Sequence, residues 1–334
     1  MIYGPGDIRV EEVERPVLVE PTDAILRVVA ACVCGSDLWA YRGVLETKQA
    51  HQMGHEYVGV IEELGSEVSG LEVGQFVVGS FMTSDNTCEI CESGFQSRCV
   101  NGGGVGEAQA EYVRIENAGG TLVATPEYPD EDLIPSLLAA SDVLGTGWWA
   151  ADAAQVGPGK TVAVVGDGAV GLLAILAARE LGAERIIAFS RHADRQALAR
   201  EFGATDIVEE RGDAGAARVK ELTNGLGAHS VIEAVGNQES MEQAIRSTRP
   251  GGHIGFVGVA HGVTLSGREL FGAEVHLIGG PAPVRRFLPD LIGRILRREI
   301  NPGRVFTAQL PLEEAPAAYA AMDERRDIKV LLRP

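Results

Sequence analysis

A glycine-rich run, Gly166-Asp-Gly168-Ala-Val-Gly171, constrains the fold more than any other stretch of the sequence. It directly follows the short apolar run Thr161-Val-Ala-Val-Val and leads into Val170 to Leu181, which is rich in alanine and leucine and predicts a helix. A strand, a glycine loop and a helix in this order are typical of a dinucleotide-binding βαβ unit. Gly166 permits the tight turn, Gly168 lets the backbone approach a pyrophosphate, and Gly171 lets the helix pack on the strand. The run therefore predicts a parallel α/β domain that binds a dinucleotide.

The end of the next predicted strand indicates which dinucleotide is bound. A fold that selects NAD places Asp or Glu there, but the strand Arg185-Ile-Ile-Ala-Phe ends in Ser190-Arg191-His192. Serine and arginine bind a 2′-phosphate by hydrogen bond and charge, so we expect a preference for NADP(H), with Arg195 as a further cation. The alternative is that Arg191 is merely solvated. The predicted cofactor-binding residues of this region are Gly166, Gly168, Ala169, Val170, Gly171, Ser190, Arg191 and Arg195.

Length and charge exclude several classes of protein. A chain of 334 residues predicts about two domains, and a net charge of −18 without a basic stripe disfavours nucleic acid and acidic membrane surfaces as partners. No apolar run approaches the ~20 residues of a membrane span, and the first residues do not resemble a signal peptide. We therefore expect a cytoplasmic protein whose substrate is a small molecule.

The pattern of apolar residues changes along the chain. Residues 1–142 show short alternating runs punctuated by glycine and proline and almost no helical periodicity. From Gly157, short apolar strands alternate with helices, which predicts a doubly wound parallel sheet. We expect a β-rich domain over 1–142, a nucleotide-binding domain over 143–284 and a C-terminal return to the first domain over 285–334. Further strands are expected near 230–235, 253–258, 275–279 and 329–332, and helices over 196–202, 285–298 and 313–322.

Metal-binding residue types cluster in the first half of the chain. His55 and Glu56 are adjacent in the run Gly54-His-Glu, where an imidazole and a carboxylate can bind a metal or move a proton. Two adjacent residues do not make a metal site, and a half-buried histidine at the start of a strand is the plainer interpretation. All five cysteines lie in the first third, and in a reducing compartment such clustering favours metal binding over disulfides.

Several motifs together resemble one family over essentially the whole chain. They are Cys34-Gly-Ser-Asp, Gly54-His-Glu, the cysteine cluster, the nucleotide loop and the closing Ile328-Lys-Val-Leu-Leu. The chain resembles a zinc-dependent alcohol dehydrogenase of the medium-chain dehydrogenase/reductase superfamily. That resemblance implies a Rossmann-type domain joined to a GroES-like catalytic domain, and zinc beside the nicotinamide cofactor.

The resemblance implies two zinc sites. Cys34, His55 and Asp142 correspond to the protein ligands of a catalytic zinc, with Glu56 as a near or alternate ligand. Such a set leaves a fourth position open for water or a substrate oxygen. The residues of the second, closed site would be Asp85, Cys88, Cys91 and Cys99. Aspartate stands there in place of the family's first cysteine, so a degenerate lobe without zinc is the alternative. Cys32 has no assigned partner and is expected in the core.

The expected reaction is the reversible oxidation of an alcohol to an aldehyde or ketone. Ser36 resembles the family hydroxyl that takes the alcohol proton, but Trp39 stands where many relatives have the histidine that passes it on. His51 is the nearest replacement in sequence. Trp39, Leu144 and Trp148 are predicted to wall an apolar pocket, although Trp148 packing at the domain junction is an equal alternative.

The resemblance also bears on a cofactor contact, on the oligomeric assembly and on alternative functions. Lys329 resembles a basic residue that meets the cofactor; the alternative is a lysine on an edge strand. A homodimer or homotetramer that pairs nucleotide domains edge to edge is expected. The rival functions are a polyol or amino-alcohol dehydrogenase and, from another class, a zinc-free quinone reductase or a non-catalytic nucleotide-binding protein. Relatives begin a few residues earlier, so Met1 is expected to be a late start.

Overall fold

The computed structural model describes all 334 residues, Met1–Pro334, and the chain forms two compact units. Unit 1 comprises Met1–Gly145 and Pro283–Pro334, and unit 2 comprises Thr146–Ala282. From the sequence, the divisions were expected after residues 142 and 284. No helix is both long enough and apolar enough to cross a membrane.

The first part of the chain is rich in strands. Its elements are β1 Ile2–Gly4, β2 Asp7–Ile8, β3 Ala24–Cys32, α1 Asp37–Tyr41, β4 Tyr57–Leu64, β5 Phe76–Gly79, α2 Glu89–Glu92, β6 Tyr112–Ile115, α3 Ala118–Thr121, β7 Leu122–Ala124, α4 Ile134–Ala140 and α5 Val143–Ala153. The remaining elements are β8 Thr161–Val165, α6 Ala169–Glu180, β9 Arg185–Phe189, α7 Ala193–Phe202, β10 Asp206–Val208, α8 Gly212–Leu222, β11 Ala228–Glu233, α9 Gln238–Ser247, β12 Thr248–Phe256, α10 Gly267–Ala273, β13 His276–Gly279, α11 Val284–Leu296, β14 Phe306–Pro311, α12 Ala315–Asp323 and β15 Lys329–Arg333.

Unit 1 is built on a seven-stranded sheet. Its order is β14-β15-β3-β4-β5-β7, with β6 also paired to β3. The β14 and β15 strands run parallel, whereas β15-β3 and β3-β4 are antiparallel. Gly59 lets β4 approach β3, because a Cβ there would lie 2.5 Å from the carbonyl oxygen of Arg27. The C-terminal strand therefore completes a sheet that begins near the N-terminus.

Two apolar clusters form the core of unit 1. One packs the faces of β3, β4 and β5, with Leu26, Tyr57 and Ile61 buried. The other joins α12 and β15 to the N-terminal hairpin through Tyr319, Val330 and neighbouring apolar residues. These clusters fix the segments before β4 and after β3, which carry the metal-binding motifs.

Unit 2 is a parallel sheet with the order β10-β9-β8-β11-β12-β13. The chain moves outward from β8 in one direction and from β11 in the other, so the strand order reverses between β8 and β11. Ligands of doubly wound folds bind at that reversal, beyond the carboxyl ends of the strands. The glycine loop directly follows β8. The predicted doubly wound sheet and β-rich domain are confirmed.

Some expectations about individual elements were wrong. The helix α4, Ile134–Ala140, lies in the part of the chain that was expected to be β-rich and was not predicted; its residues are mostly buried. Its run Ile-Pro-Ser-Leu-Leu-Ala-Ala is apolar nearly all round, so it lacks the amphipathic period that reveals surface helices. The α7 helix begins at Ala193 rather than at 196. The sequence analysis also did not predict β10, α8, α9 and α10.

Candidate metal centre and nucleotide-binding loop

Three separate segments of unit 1 bring four metal-binding side chains together. Cys34 follows β3, His55 and Glu56 precede β4, and Asp142 lies between α4 and α5. One ligand atom from each side chain lies within 4.8 Å of every other. Three of the four residues are buried, and the side chain of His55 is 18% exposed. The predicted ligands of the first zinc site therefore converge at one point.

The donor set fits a zinc ion. The Nε2 atom of His55 lies 3.2 Å from Oδ2 of Asp142, and Sγ of Cys34 lies 4.0 Å from the same oxygen. Oε2 of Glu56 is buried without a hydrogen-bond partner, which is costly for a carboxylate oxygen unless something else satisfies it. A thiolate, an imidazole and carboxylates are the donors that zinc accepts. The orphaned oxygen and the donor chemistry both agree with a cation at this point.

The protonation equilibria of the cluster are strongly perturbed. Burial raises the pKa of Cys34 and of Glu56 above their usual values, because both charged forms are desolvated. Burial opposes the charged form of His55, but Cys34, Asp37 and Asp142 outweigh it and raise the pKa of His55. A divalent cation would stabilise the thiolate and carboxylate forms instead. The cluster is therefore electrostatically costly alone and suited to a cation.

Asp37 supports the cluster, although the sequence analysis gave it no role. Its Oδ1 lies 3.4 Å from Nδ1 of His55, and its Oδ2 accepts a hydrogen bond from the backbone N–H of Cys34 at 2.9 Å. Gln109 Nε2 also donates to Oδ2, at 3.3 Å, and Tyr319 donates to the Gln109 oxygen. Asp37 thus contacts two ligand residues and orients the ring so that Nε2 faces the other donors. Its position three residues after Cys34 was the available sequence signal.

Glu56 forms a buried ion pair with Lys329. The Lys329 Nζ donates to Oε1 of Glu56 at 2.6 Å and to the carbonyl oxygen of Val33 at 3.1 Å. Both side chains are at most 1% exposed. Because β15 lies between β14 and β3, the alternative of an edge-strand lysine is wrong. The contact of Lys329 with the cofactor stays a prediction.

The four residues of the cysteine lobe also converge. Asp85, Cys88, Cys91 and Cys99 each offer a ligand atom within 4.8 Å of the others. The Cys88 and Cys99 sulfurs lie 3.9 Å apart, and the Asp85 backbone N–H donates to the Cys99 sulfur. Burial raises the pKa of Cys91, while backbone N–H donors lower the pKa of Cys88. The set fits a closed site with three sulfur donors and one oxygen donor.

The other residues predicted to act in proton transfer or to line the substrate pocket lie around α1, in the segment before β4 and on α5. Ser36 precedes α1 and is half-buried, and Trp39 is a residue of α1. His51 is exposed, with its Nδ1 3.1 Å from the carbonyl oxygen of Gln49. Leu144 and Trp148 are buried on α5. The proton-transfer and pocket roles of these residues stay predictions.

The glycine loop has the geometry that its motif predicts. Gly166 has φ +118°, a conformation that side chains disfavour, and a Cβ on Gly171 would lie 2.0 Å from the carbonyl oxygen of Gly166. A Cβ on Gly168 would meet nothing within 4 Å, so the backbone there is open to a ligand. Ala169 and Val170 begin α6, whose N-terminus has no side-chain cap. Its free N–H groups form an anion-binding end.

The residues beside this loop that were predicted to bind a 2′-phosphate differ in their surroundings. Ser190 follows β9 and donates from Oγ to Oδ2 of Asp167 at 2.7 Å. Arg195 lies 3.5 Å from Oδ1 of Asp167 and is 11% exposed, so its charge is already paired. Arg191 is exposed. Asp167 engages both Ser190 and Arg195, a contact that was not predicted from the sequence.

The chain matches two protein-family models and is similar to several known proteins. A model described as the alcohol dehydrogenase GroES-like domain matches residues 20–127, and one described as zinc-binding dehydrogenase matches residues 169–286. Among similar proteins, zinc-type alcohol dehydrogenase B of Aspergillus flavus is 33% identical over 100% of this chain and 80% of its own. An NADP-dependent isopropanol dehydrogenase of Clostridium beijerinckii is 34% identical over 73% and 70% of the two chains.

The fold agrees with solved structures of the same class. An alcohol dehydrogenase from Thermus sp. ATN1 superposes with a TM-score of 0.90 at 32% identity, over 99% of this chain and 98% of that one. The chain belongs to the zinc-dependent alcohol dehydrogenases of the medium-chain dehydrogenase/reductase superfamily. It is an oxidoreductase that acts on alcohols, and its family uses zinc and a nicotinamide cofactor. The resemblance read from the sequence motifs is thereby confirmed.

Proposed function

We propose that the protein transfers a hydride reversibly between a secondary or apolar alcohol and NADP+, giving a ketone or aldehyde. The observation that carries the proposal is the convergence of Cys34, His55, Glu56 and Asp142 within 4.8 Å in a family of zinc-dependent alcohol dehydrogenases. Cys34, His55 and Asp142 would hold the catalytic zinc, and Glu56 would lie beside it. When bound, zinc supplies a Lewis acid that lowers the pKa of the alcohol.

The side chains of the chain itself orient the reactants and move the proton. Ser36 would accept the alcohol proton, and Trp39, Leu144 and Trp148 would supply apolar contact area for the substrate. Trp39 stands where many relatives have the histidine that receives the proton next, so water, a cofactor ribose hydroxyl or His51 completes the proton route. Replacing His51 by glutamine should lower the rate of alcohol oxidation if the ring carries the proton, because a glutamine side chain cannot take one up.

The preference for NADP+ is supported by two features. Ser190 stands at the carboxyl end of β9, where an NAD-selective fold has an acid, and the exposed Arg191 follows it. The Clostridium beijerinckii relative carries NADP dependence in its name. In the wild-type protein, kcat/KM should be higher with NADP+ than with NAD+, and an equal or better value with NAD+ would refute the preference.

Metal removal tests the central proposal. Complete chelation should abolish alcohol oxidation, and adding zinc back should restore it. His55→Ala should abolish activity, whereas Glu56→Gln should reduce turnover or zinc retention, because Glu56 is beside the metal rather than a required ligand. Activity that survives full removal of zinc would favour the zinc-free rival function. A panel of primary, secondary, cyclic and polyol alcohols distinguishes the proposed substrate class from polyols and amino alcohols.

We further propose zinc in the cysteine lobe, a cytoplasmic location and a homo-oligomeric assembly. The convergence of Asp85, Cys88, Cys91 and Cys99 supports the second zinc, and their unpaired thiols suit a reducing compartment. The β13 strand forms one edge of the unit 2 sheet and exposes 42% of Ile278. Such an apolar edge supports pairing between two copies through their nucleotide domains.

A further inference from the structure

The side chain of Asp167 occupies a central position in the predicted 2′-phosphate site. Its Oδ2 accepts a hydrogen bond from Oγ of Ser190 at 2.7 Å, and its Oδ1 lies 3.5 Å from Nη1 of Arg195. The same Nη1 donates to the backbone carbonyl oxygen of Asp167 at 3.1 Å. The side chains of Asp167 and Arg195 are only 17% and 11% exposed. One carboxylate therefore engages two of the three groups that we expect to bind a 2′-phosphate.

This contact connects two elements of the nucleotide-binding edge. Asp167 lies between Gly166 and Gly168 in the loop after β8, whereas Ser190 follows β9. The backbone carbonyl of Ser190 is itself held by the Gln196 side chain of α7, at 3.0 Å. Because strand end and helix are fixed in this way, the carboxylate of Asp167 has a defined position beside them.

The position of this carboxylate bears directly on cofactor selection. Folds that select NAD carry an acid at the end of the second strand, where it accepts hydrogen bonds from the ribose hydroxyls. Here Ser190 follows the strand, and the carboxylate of Asp167 reaches Ser190 from the glycine loop through a hydrogen bond of 2.7 Å. A 2′-phosphate carries nearly two negative charges and takes serine and arginine as donors. It must therefore compete with Asp167 for its own ligands, whereas a ribose hydroxyl can donate to that carboxylate.

We propose that Asp167 is a specificity-determining residue whose carboxylate competes with the cofactor 2′-phosphate for Ser190 and Arg195. The proposal rests on the proposed function in that a dinucleotide binds at this loop. Arg191, which is exposed, favours binding of the phosphorylated cofactor, and Asp167 opposes that binding. The selectivity between NADP+ and NAD+ is then the balance of these two side chains, and removing the carboxylate shifts it toward NADP+.

The test uses Asp167→Asn, which keeps an oxygen acceptor for Ser190 and removes the charge. Isothermal titration calorimetry of the zinc-loaded enzyme with adenosine 2′,5′-bisphosphate and with 5′-AMP measures the binding of each nucleotide. We expect about tenfold tighter binding of the bisphosphate, as follows from removing one negative charge within a few ångströms of it. Binding of 5′-AMP should stay the same or weaken. The ratio of kcat/KM for NADP+ to that for NAD+ should rise by a similar factor.

A matched control separates competition by Asp167 for the phosphate ligands from the general electrostatic effect of removing a negative charge. Asp194→Asn removes one negative charge from the exposed first turn of the neighbouring α7. Its effect on bisphosphate binding should be much smaller and should vanish at high salt, because exposed charges are screened. An equal gain in both variants would overturn the proposal. Asp167→Ser also removes the charge and serves as the second variant if Asp167→Asn does not fold.

The outcome for Asp167 is separate from that for the proposed NADP+ preference. A wild-type enzyme that favours NAD+ refutes that preference, yet a rise in the NADP+ to NAD+ ratio in Asp167→Asn still supports the role of Asp167. An unchanged or lower ratio in Asp167→Asn overturns the role of Asp167, whichever cofactor the wild type favours. Arg191→Ala should weaken bisphosphate binding in the wild-type and Asp167→Asn backgrounds alike.

Discussion

At the scale of the residue, His55 shows how a single side chain is made into a ligand. Its Nδ1 faces Asp37 and its Nε2 faces Asp142, so the two ring nitrogens have different tasks. The carboxylate of Asp37 favours a proton on Nδ1 and leaves Nε2 free for a metal. The sequence identified His55, but the tautomer follows only from the contact with Asp37.

Asp37→Asn tests this orienting role. We expect zinc to dissociate faster and kcat/KM to fall by about 10- to 100-fold, because residues that orient metal ligands commonly have effects of that size. The rate of zinc transfer to a coloured chelator measures the dissociation. Asp323→Asn, which alters a half-exposed carboxylate of unit 1 paired with Arg42, is the control and should leave the rate unchanged. Equal rates in Asp37→Asn and the wild type would contradict the assignment.

The buried pair of Glu56 and Lys329 gives a prediction about stability. In zinc-free protein, Glu56→Gln and Lys329→Met should each lower the free energy of unfolding by about 3–5 kcal/mol. The first leaves the buried ammonium of Lys329 without a counter-charge, and the second leaves the buried carboxylate of Glu56 without one. The double variant should lose less than the sum of the two, since it leaves no charge behind. Urea unfolding of the four proteins measures the coupling. Strictly additive losses would show that the pair does not act as a unit.

At the scale of the element, the cysteine lobe shows how a short loop is organised by one side chain. Oδ1 of Asp85 accepts hydrogen bonds from the backbone N–H groups of Thr87 and Cys88, at 2.9 and 3.0 Å, and Oδ2 accepts one from Asn101 at 2.7 Å. These bonds lower the pKa of Asp85, although burial opposes the shift. The carboxylate is therefore ionised and fixed in place beside the three sulfurs.

The lobe predicts a difference between two substitutions of Asp85. Asp85→Cys should bind zinc more tightly than the wild type, because zinc prefers thiolate to carboxylate, whereas Asp85→Ala should lose the lobe zinc. Elemental analysis after mild chelation should give two zinc ions per chain for the wild type and for Asp85→Cys, and one for Asp85→Ala. Asp85→Cys should keep its lobe zinc at a chelator concentration that removes it from the wild type. One zinc ion in the wild type would instead support a lobe that has lost its metal.

The pairing of β9 with β10 predicts a pH-dependent stability. Arg185 on β9 contacts both carboxylate oxygens of Asp206 on β10, at 2.8 and 2.7 Å, and this hydrogen bonding lowers the pKa of Asp206. The folded pKa thus lies below the unfolded value of about 3.9, so the stabilisation is complete above about pH 4 and is lost as pH falls through the folded pKa.

Asp206→Asn tests this linkage. It should lower the free energy of unfolding by about 1 kcal/mol at pH 7, since the pair is partly exposed, and the difference from wild type should shrink as the pH falls below about 4. Thermal unfolding across this pH range measures it. Asp213→Asn, which alters a carboxylate whose side chain is 81% exposed beside Arg246, should show a much smaller difference at every pH. A difference in unfolding free energy between Asp206→Asn and the wild type that does not shrink below about pH 4 would contradict the assignment.

At the scale of the whole molecule, the edge of the unit 2 sheet predicts the assembly. The β13 strand has no neighbour on one side, and Ile278 on it and Phe271 on α10 are 42% and 88% exposed. Ile278→Lys places a charge on this edge and should shift a dimer or tetramer toward smaller species, as measured by light scattering. Leu226→Lys, which changes a residue that is 63% exposed in the segment between α8 and β11, should not. A wild-type protein that is monomeric at all concentrations would refute the assembly.

The sequence by itself determined the features that depend on local chain geometry. The glycine loop between strand and helix, the alternation of elements after residue 157 and the order of the metal-binding motifs all follow from residue type and spacing. These signals are strong because a turn, a strand period or a ligand type is encoded within a few neighbouring residues. The apolar helix α4 was missed because a helix that is buried all round has no amphipathic pattern to reveal it.

Only the tertiary structure decided which distant side chains meet. It brought Asp37 to His55, Lys329 to Glu56 across 273 positions, and Asp167 to Ser190 and Arg195. Each of these contacts joins segments that the sheets place side by side, and no local pattern records that neighbourhood. The charge balance at the metal centre and at the cofactor loop therefore depends on strand order and register, whereas the residues that bind there are visible in the sequence.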